Sequence, residues 1–142
     1  YWEMPEKTAE SFRADGFFIT GDMAKQDGNG YITIVGRDKD LIISGGLNVY
    51  PKEVEVMIDD IDGVLESAVI GVPHRDFGEA VVAVVVPSDK NLDTALISRS
   101  LTGRIAKFKQ PKAIVLADAL PRNTMGKVQK AELRSSHADL FV

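Results

Sequence analysis

The seven residues Ala80–Val86 are all alanine or valine. β-Branched side chains favour extended backbone, and an unbroken apolar run offers no polar face to solvent. The run predicts a central strand covered on both faces, so the rest of the chain must supply packing layers above and below it. It is far short of the roughly 20 residues a membrane helix needs. Residues 64–72 read as a partner strand, and Leu41–Ile43 and Ala113–Leu116 as short ones. Pro51 opens a helix with Glu53 and Glu55 in its first turns, where the helix dipole favours negative charge. Val54, Met57, Ile58 and Ile61 are spaced along that helix for one buried face. Asp93 is placed to cap a helix whose stripe is Ile97, Leu101 and Ile105, and a last helix is expected over residues 129–140. Strands and helices mix without strict βαβ alternation. The expected fold class is therefore α+β, a small mixed sheet flanked by helices.

The beginning of the chain has a different character. Pro5 opens a short helix with Ala9 and Phe12 on one face, and Gly16 ends that segment. Phe17–Thr20 and Tyr31–Val35 read as strands. Between them, Asp27-Gly28-Asn29-Gly30 consists of residues that tolerate positive φ, which predicts a hairpin turn. Arg37-Asp38-Lys39-Asp40, four charges in a row between apolar strands, marks a break in composition. The break is a candidate domain boundary, between a β-hairpin segment and the α+β part. The chain opens on Tyr1-Trp2-Glu3 rather than Met, as expected of a piece of a longer protein.

The chain has no cysteine, which excludes disulfides, thiol catalysis and Cys-type zinc sites and fits a reducing, cytoplasmic setting. Its net charge of −4 is unevenly spread. Residues 1–98 carry 8 basic and 18 acidic groups, and residues 99–142 carry 9 basic and 3 acidic groups. A basic C-terminal section marks either a phosphate-bearing partner or a solvated face. An acidic chain without a reader motif is not expected to bind nucleic acid. His74 with Asp76 and Glu79 is the one grouping that resembles a metal cluster. A plain loop between strands explains it better, so no metal site is expected.

Three segments have the composition of sites. In Thr20-Gly21-Asp22, a carboxylate beside a glycine turn can accept two hydrogen bonds from a vicinal diol, although a routine Gly-Asp turn explains the tripeptide better when it is taken alone. Gly36-Arg37-Asp38-Lys39-Asp40 followed by Ser44-Gly45-Gly46 offers paired glycines against which a narrow ligand can pass, although a hairpin between two short strands is the better explanation of the segment alone. Pro121-Arg122-Asn123-Thr124-Met125-Gly126-Lys127 places an ammonium on a polar loop. Such a group suits shifting negative charge on phosphate and carboxylate oxygens, and it is equally the ordinary fate of a surface lysine.

Taken in order and spacing, these segments resemble the adenylate-forming superfamily of acyl-CoA synthetases, luciferases and peptide-synthetase adenylation domains, over nearly the whole chain. The stretches Pro121–Lys130 and Ile42–Glu55 and the ending Ala138-Asp139-Leu140-Phe141 are most similar to malonyl-CoA synthetases. Medium- and long-chain fatty acyl-CoA ligases share much of the pattern. The resemblance implies an enzyme that activates a carboxylic acid with ATP and Mg²⁺, releases pyrophosphate, and passes the acyl group from AMP to CoA. It implies that Asp22 and Arg37 hold the ribose of ATP or AMP, that Lys39 is the hinge between domains, and that Gly45 and Gly46 line a pantetheine tunnel. It further implies that Lys127 is the catalytic lysine of adenylation and that Lys112 contacts a CoA phosphate. Residues 1–38 would then close a large N-terminal domain, and 39–142 would be the mobile C-terminal domain. By itself this chain is expected to be inactive and to hold no cofactor tightly.

Other readings stay open at this level. One is a stand-alone nucleotide- or CoA-binding module. Another is a domain modified at Lys127 by a protein acetyltransferase, which would remove the charge that adenylation requires. A peptide-synthetase adenylation domain fits less well, since those resemble Asn-Gly-Lys where this chain has Met125-Gly126-Lys127.

Overall fold

The computed structural model describes residues 1–89 and 91–142. They form two compact units, Tyr1–Lys39 and Asp40–Val142. The division falls after Lys39, inside the Arg37–Asp40 charge run.

The first unit contains helix α1 (Pro5–Glu10) and an antiparallel hairpin of β1 (Asp22–Gln26) and β2 (Ile32–Arg37), with a bulge between Met23 and Ala24. The turn is closed by Asp27, whose Oδ1 accepts the amides of Asn29 and Tyr31 at 2.9 Å each. This is the local side-chain closure expected of an Asx turn. The expected strand at Phe17–Thr20 is not formed. Its backbone groups bond instead to the segment just before it, Arg13 N–H to Phe17 O and Ile19 N–H to Ser11 O, both at 2.8 Å. Gly16 and Gly21, at φ +85° and +70°, bend the chain on either side, so the true strand starts at Asp22. No residue of α1 is buried, and Trp2, Phe17, Tyr31, Ile32 and Ile34 are all exposed.

The second unit is a single sheet with helices on both faces. Its strands are β3 (Ile42–Ser44), β4 (Leu47–Val49), β5 (Val64–His74), β6 (Gly78–Pro87) and β7 (Ala113–Leu116). The order is β4-β3-β6-β5, with β7 parallel to β6 over Val82–Val85. The valine run forms β6 at the centre, as its composition predicts. Val81, Ala83 and Val85 point to one layer, made by α2 (Pro51–Asp59) and α3 (Thr94–Leu101) through Val54, Ile58, Ile97 and Leu101. Ala80, Val82, Val84 and Val86 point to the other, covered by Leu120 and by Leu133 of α4 (Lys130–Ser136). The fold class is therefore α+β with a small mixed sheet.

Two helices are shorter than their patterns suggest. The Asp93 side chain caps α3 by accepting the Ala95 amide at 3.0 Å, but the helix stops at Leu101. Thr102 is extended and Gly103 sits at φ +81°, so Ile105 packs on the core from outside the helix. In α4 the Ser136 hydroxyl donates to Glu132 O, and the His137 ring lies 2.8 Å from Leu133 O. These side chains engage the last carbonyls of the helix, and regular structure ends at Ser136 instead of residue 140. Among the described residues no helix is long and apolar enough to cross a membrane.

Candidate functional site

The charge asymmetry has a structural explanation that composition did not supply. Five cations of the basic C-terminal section pair with acids between Asp40 and Glu66. The pairs are Arg104–Asp60, Lys109–Glu53, Arg122–Glu66, Lys130–Glu55 and Arg134–Asp40. These pairs tie the later elements of the domain to the earlier ones, with Lys109, Lys130 and Arg134 largely withdrawn from solvent and Arg104 and Arg122 exposed. Lys112 and Lys127 are not part of these pairs.

In the first unit, Asp22 and Arg37 face each other across the first rungs of the hairpin. Arg37 Nη1 donates to Asp22 Oδ1 at 2.5 Å and to Thr20 O at 2.9 Å. The guanidinium thus engages Oδ1, one of the two carboxylate oxygens. Arg37 also lines a shallow recess of about 210 Å³ with Thr20, Gly21, Asp38 and Lys39. The site residues expected of this part therefore lie together: a carboxylate, a guanidinium that orients it, and Lys39 on the rim. This set fits a vicinal diol.

In the second unit, Gly45 and Gly46 are the two turn residues between β3 and β4, at φ +57° and +78°. Two positive φ values in a two-residue hairpin define the turn type that favours glycine, so turn geometry accounts for both residues. The Gly45 amide donates to Phe77 O at 2.9 Å. Lys112 Nζ lies 4.9 Å from the centre of the Phe77 ring. Phe77, which carried no role in the sequence, thus joins the glycine turn to Lys112 at the tip of the β5–β6 hairpin. A bare backbone turn, an exposed ring and an ammonium together fit a slender ligand ending in an anion.

Lys127 belongs to neither group. Its loop closes on itself. Asn123 Oδ1 accepts the amides of Met125 and Lys127 at 3.1 and 2.9 Å, and the Asn123 amide donates to Lys127 O at 2.9 Å. Gly126 takes φ +78° where the loop turns back. Arg122 and Val128 bridge at the base. The Lys127 side chain is exposed, and its ammonium has no partner among the described residues. The loop attaches to β5 near Glu66 through Arg122. The glycine turn adjoins the other end of β5, past His74. At about 3.3 Å per residue, the eight residues from Glu66 to His74 separate these ends by roughly 25 Å.

The side chains of His74 and Glu79 are engaged with backbone amides instead of converging with that of Asp76. His74 Nδ1 accepts the Asp76 amide at 3.1 Å, and Glu79 Oε2 accepts the Ile43 amide at 2.8 Å. Among the described residues no group of three His, Asp or Glu side chains is arranged to hold a metal ion.

A model of the AMP-binding enzyme C-terminal domain matches residues 53–127. An indoleacetate–CoA ligase of Aromatoleum aromaticum is 45% identical over 135 residues, covering 94% of this chain and 26% of the relative. A long-chain-fatty-acid–CoA ligase of Mycobacterium tuberculosis is 43% identical over 138 residues, covering 97% of this chain and 27% of the relative. The chain thus spans about a quarter of the length of the curated relatives it matches. Among solved structures, ATP-bound MatB from Rhodopseudomonas palustris superposes with a TM-score of 0.90 at 58% identity, over 100% of this chain and 28% of that one.

Proposed function

This chain belongs to the family of AMP-binding enzyme C-terminal domains, and on that premise we propose that it is the C-terminal part of an AMP-forming acid–CoA ligase. The observation that carries this reading is the separation of two differently built groups on one domain. An unpartnered ammonium on a closed loop lies at one end of β5, and a glycine turn with Phe77 and Lys112 lies at the other. Separated by roughly 25 Å, they cannot act on the same carboxyl carbon at the same moment. A domain that rotates between two half-reactions would use each in turn.

In this proposal Lys127 neutralises the acid's carboxylate and the α-phosphate of ATP as the acyl-adenylate forms. Asp22 Oδ2 accepts from the ribose hydroxyls, with Arg37 holding the carboxylate in place. After rotation about Lys39, the Gly45–Gly46 turn admits the pantetheine arm of CoA, and Lys112 meets one of its phosphates. Mg²⁺ would serve in the whole enzyme to screen the triphosphate; among the described residues no group of carboxylates converges to hold it. Residues through Lys39 would complete a large N-terminal domain that carries the acid pocket, and the chain alone would turn over no acid. Similarity of the Pro121–Lys130 and Ile42–Glu55 stretches to malonyl-CoA synthetases supports malonate or methylmalonate over a fatty acid. A cytoplasmic location follows from the same reading.

The test is Lys127→Ala in the full-length enzyme, with the half-reactions measured separately. Pyrophosphate exchange should fall by about 10²–10³-fold, the usual loss for one transition-state donor. Thioester formation from supplied acyl-adenylate should fall far less, and equal losses would refute the rotating-domain reading. The exposure and unpaired state of Lys127 also favour its modification by a protein acetyltransferase. Mass mapping after acetyl-CoA and a cognate enzyme should then find the acetyl group on Lys127.

A further inference from the structure

We propose that Arg122 is a positioning residue that fixes the Lys127 loop in its working geometry by clamping it to Glu66. The proposal rests on the adenylation role given to Lys127 above. The loop's own bonds, from Asn123 and the bridge between Arg122 and Val128, close it as a ring, and Val128 packs its base on the core. The Arg122 guanidinium adds a tie from the far side of the loop to β5. Arg122 Nη1 donates to Gly126 O at 2.6 Å, the carbonyl of the peptide leading into Lys127, while Nη2 pairs with the Glu66 carboxylate on β5. A planar fork binding two acceptors fixes both distance and angle, which a lysine on a flexible stem cannot do.

Glu66 is itself well placed to be the fixed end. It follows an irregularity in the β5–β6 register between Val64 and Glu66, and it pairs with Val86 of the central strand. Its side chain is 29% exposed and that of Arg122 is 43% exposed. Ion pairs this accessible to water add little to folding stability. What the pair supplies is geometry for a neighbouring group whose action depends on distance.

The experiment uses the full-length enzyme, with adenylation read by pyrophosphate exchange and thioester formation read from supplied acyl-adenylate. Arg122→Ala should lower adenylation by up to about 10²-fold, the loss that a misplacement near 1 Å can cause. It should leave thioester formation and the thermal midpoint unchanged. Arg122→Lys should recover only part of the loss, and Glu66→Gln, which keeps a neutral acceptor, should lose less than Arg122→Ala. The double variant Arg122→Ala/Lys127→Ala should be no slower than Lys127→Ala alone, because Arg122 acts only through Lys127.

Full adenylation by Arg122→Ala, with Lys127→Ala inactive, would overturn the clamp while leaving the role of Lys127 intact. Equal loss in both half-reactions, or a further loss in the double variant, would assign Arg122 to the fold instead. Normal adenylation by Lys127→Ala would defeat the underlying reading and this proposal with it.

Discussion

Glu55 is one of two polar or charged residues buried among those described, at 7% exposure, and it is the best place to test how the second unit is held together. Its Oε1 accepts the Val69 amide at 2.9 Å and the Lys130 ammonium at 2.5 Å. One oxygen thereby ties α2, β5 and the first residue of α4. Glu55→Ala would leave a β5 amide without an acceptor, a loss of about 1–3 kcal/mol. It would also strand an ammonium whose side chain is only 18% exposed. Breaking a fully buried pair costs about 3–5 kcal/mol, but the lysine stem can swing toward water and relieve part of this. The expected total is about 3 kcal/mol. At roughly 4–8 °C per kcal/mol for a domain near 100 residues, the midpoint should drop by about 12–24 °C. Glu55→Gln keeps an acceptor for Val69 and should lose only about 1–2 kcal/mol. Urea unfolding followed by far-ultraviolet circular dichroism measures both. Tryptophan fluorescence would not serve, since the single tryptophan, Trp2, lies in the other unit at 88% exposure. A Glu55→Ala variant within about 1 kcal/mol of the parent would refute the argument, because an unpaired buried amide and ammonium cannot be that cheap.

Gly45→Ala should cost about 1–2 kcal/mol in the same assay through its positive φ, and not through crowding, since a Cβ there would meet Phe77 only at 3.5 Å. Asp93→Ala removes the cap of α3 and should cost about 1 kcal/mol by urea midpoint. In the full-length enzyme, Asp22→Ala should raise the KM for ATP by about tenfold, the worth of one or two hydrogen bonds to the ribose, with a smaller effect on kcat. An AMP-release screen with CoA and malonate, methylmalonate, acetate, octanoate and palmitate should show preference for the two dicarboxylates. Preference for a fatty acid would keep the ligase reading and displace the malonate one.

Where sequence and structure agree, the responsible interactions are local or periodic. The valine run had to be a doubly covered strand, because no residue within it tolerates solvent. Asp27 and the glycines after it had to turn, because an Asx side chain reaches its own backbone two residues on. The expected strand at Phe17–Thr20 failed where its backbone found closer partners in Ser11 and Arg13. The last helix stopped early where Ser136 and His137 engaged its carbonyls. Both outcomes depend on competition between bonds that a pattern of apolar residues does not weigh.

The sequence by itself determined the fold class, the central strand, the glycine turn and the order of segments on which the family membership rests. Each of these depends on residue type at fixed short spacing. The tertiary structure alone decided which charges meet. Arg122 finds Glu66 across 56 residues, Lys130 finds Glu55 across 75, and Arg134 finds Asp40 across 94. Spacing carries no information at such separations, since any of the basic residues might have been matched with any acid. The partner is chosen by which elements the hydrophobic layers bring together, and that choice exists only once the sheet has been packed on both faces.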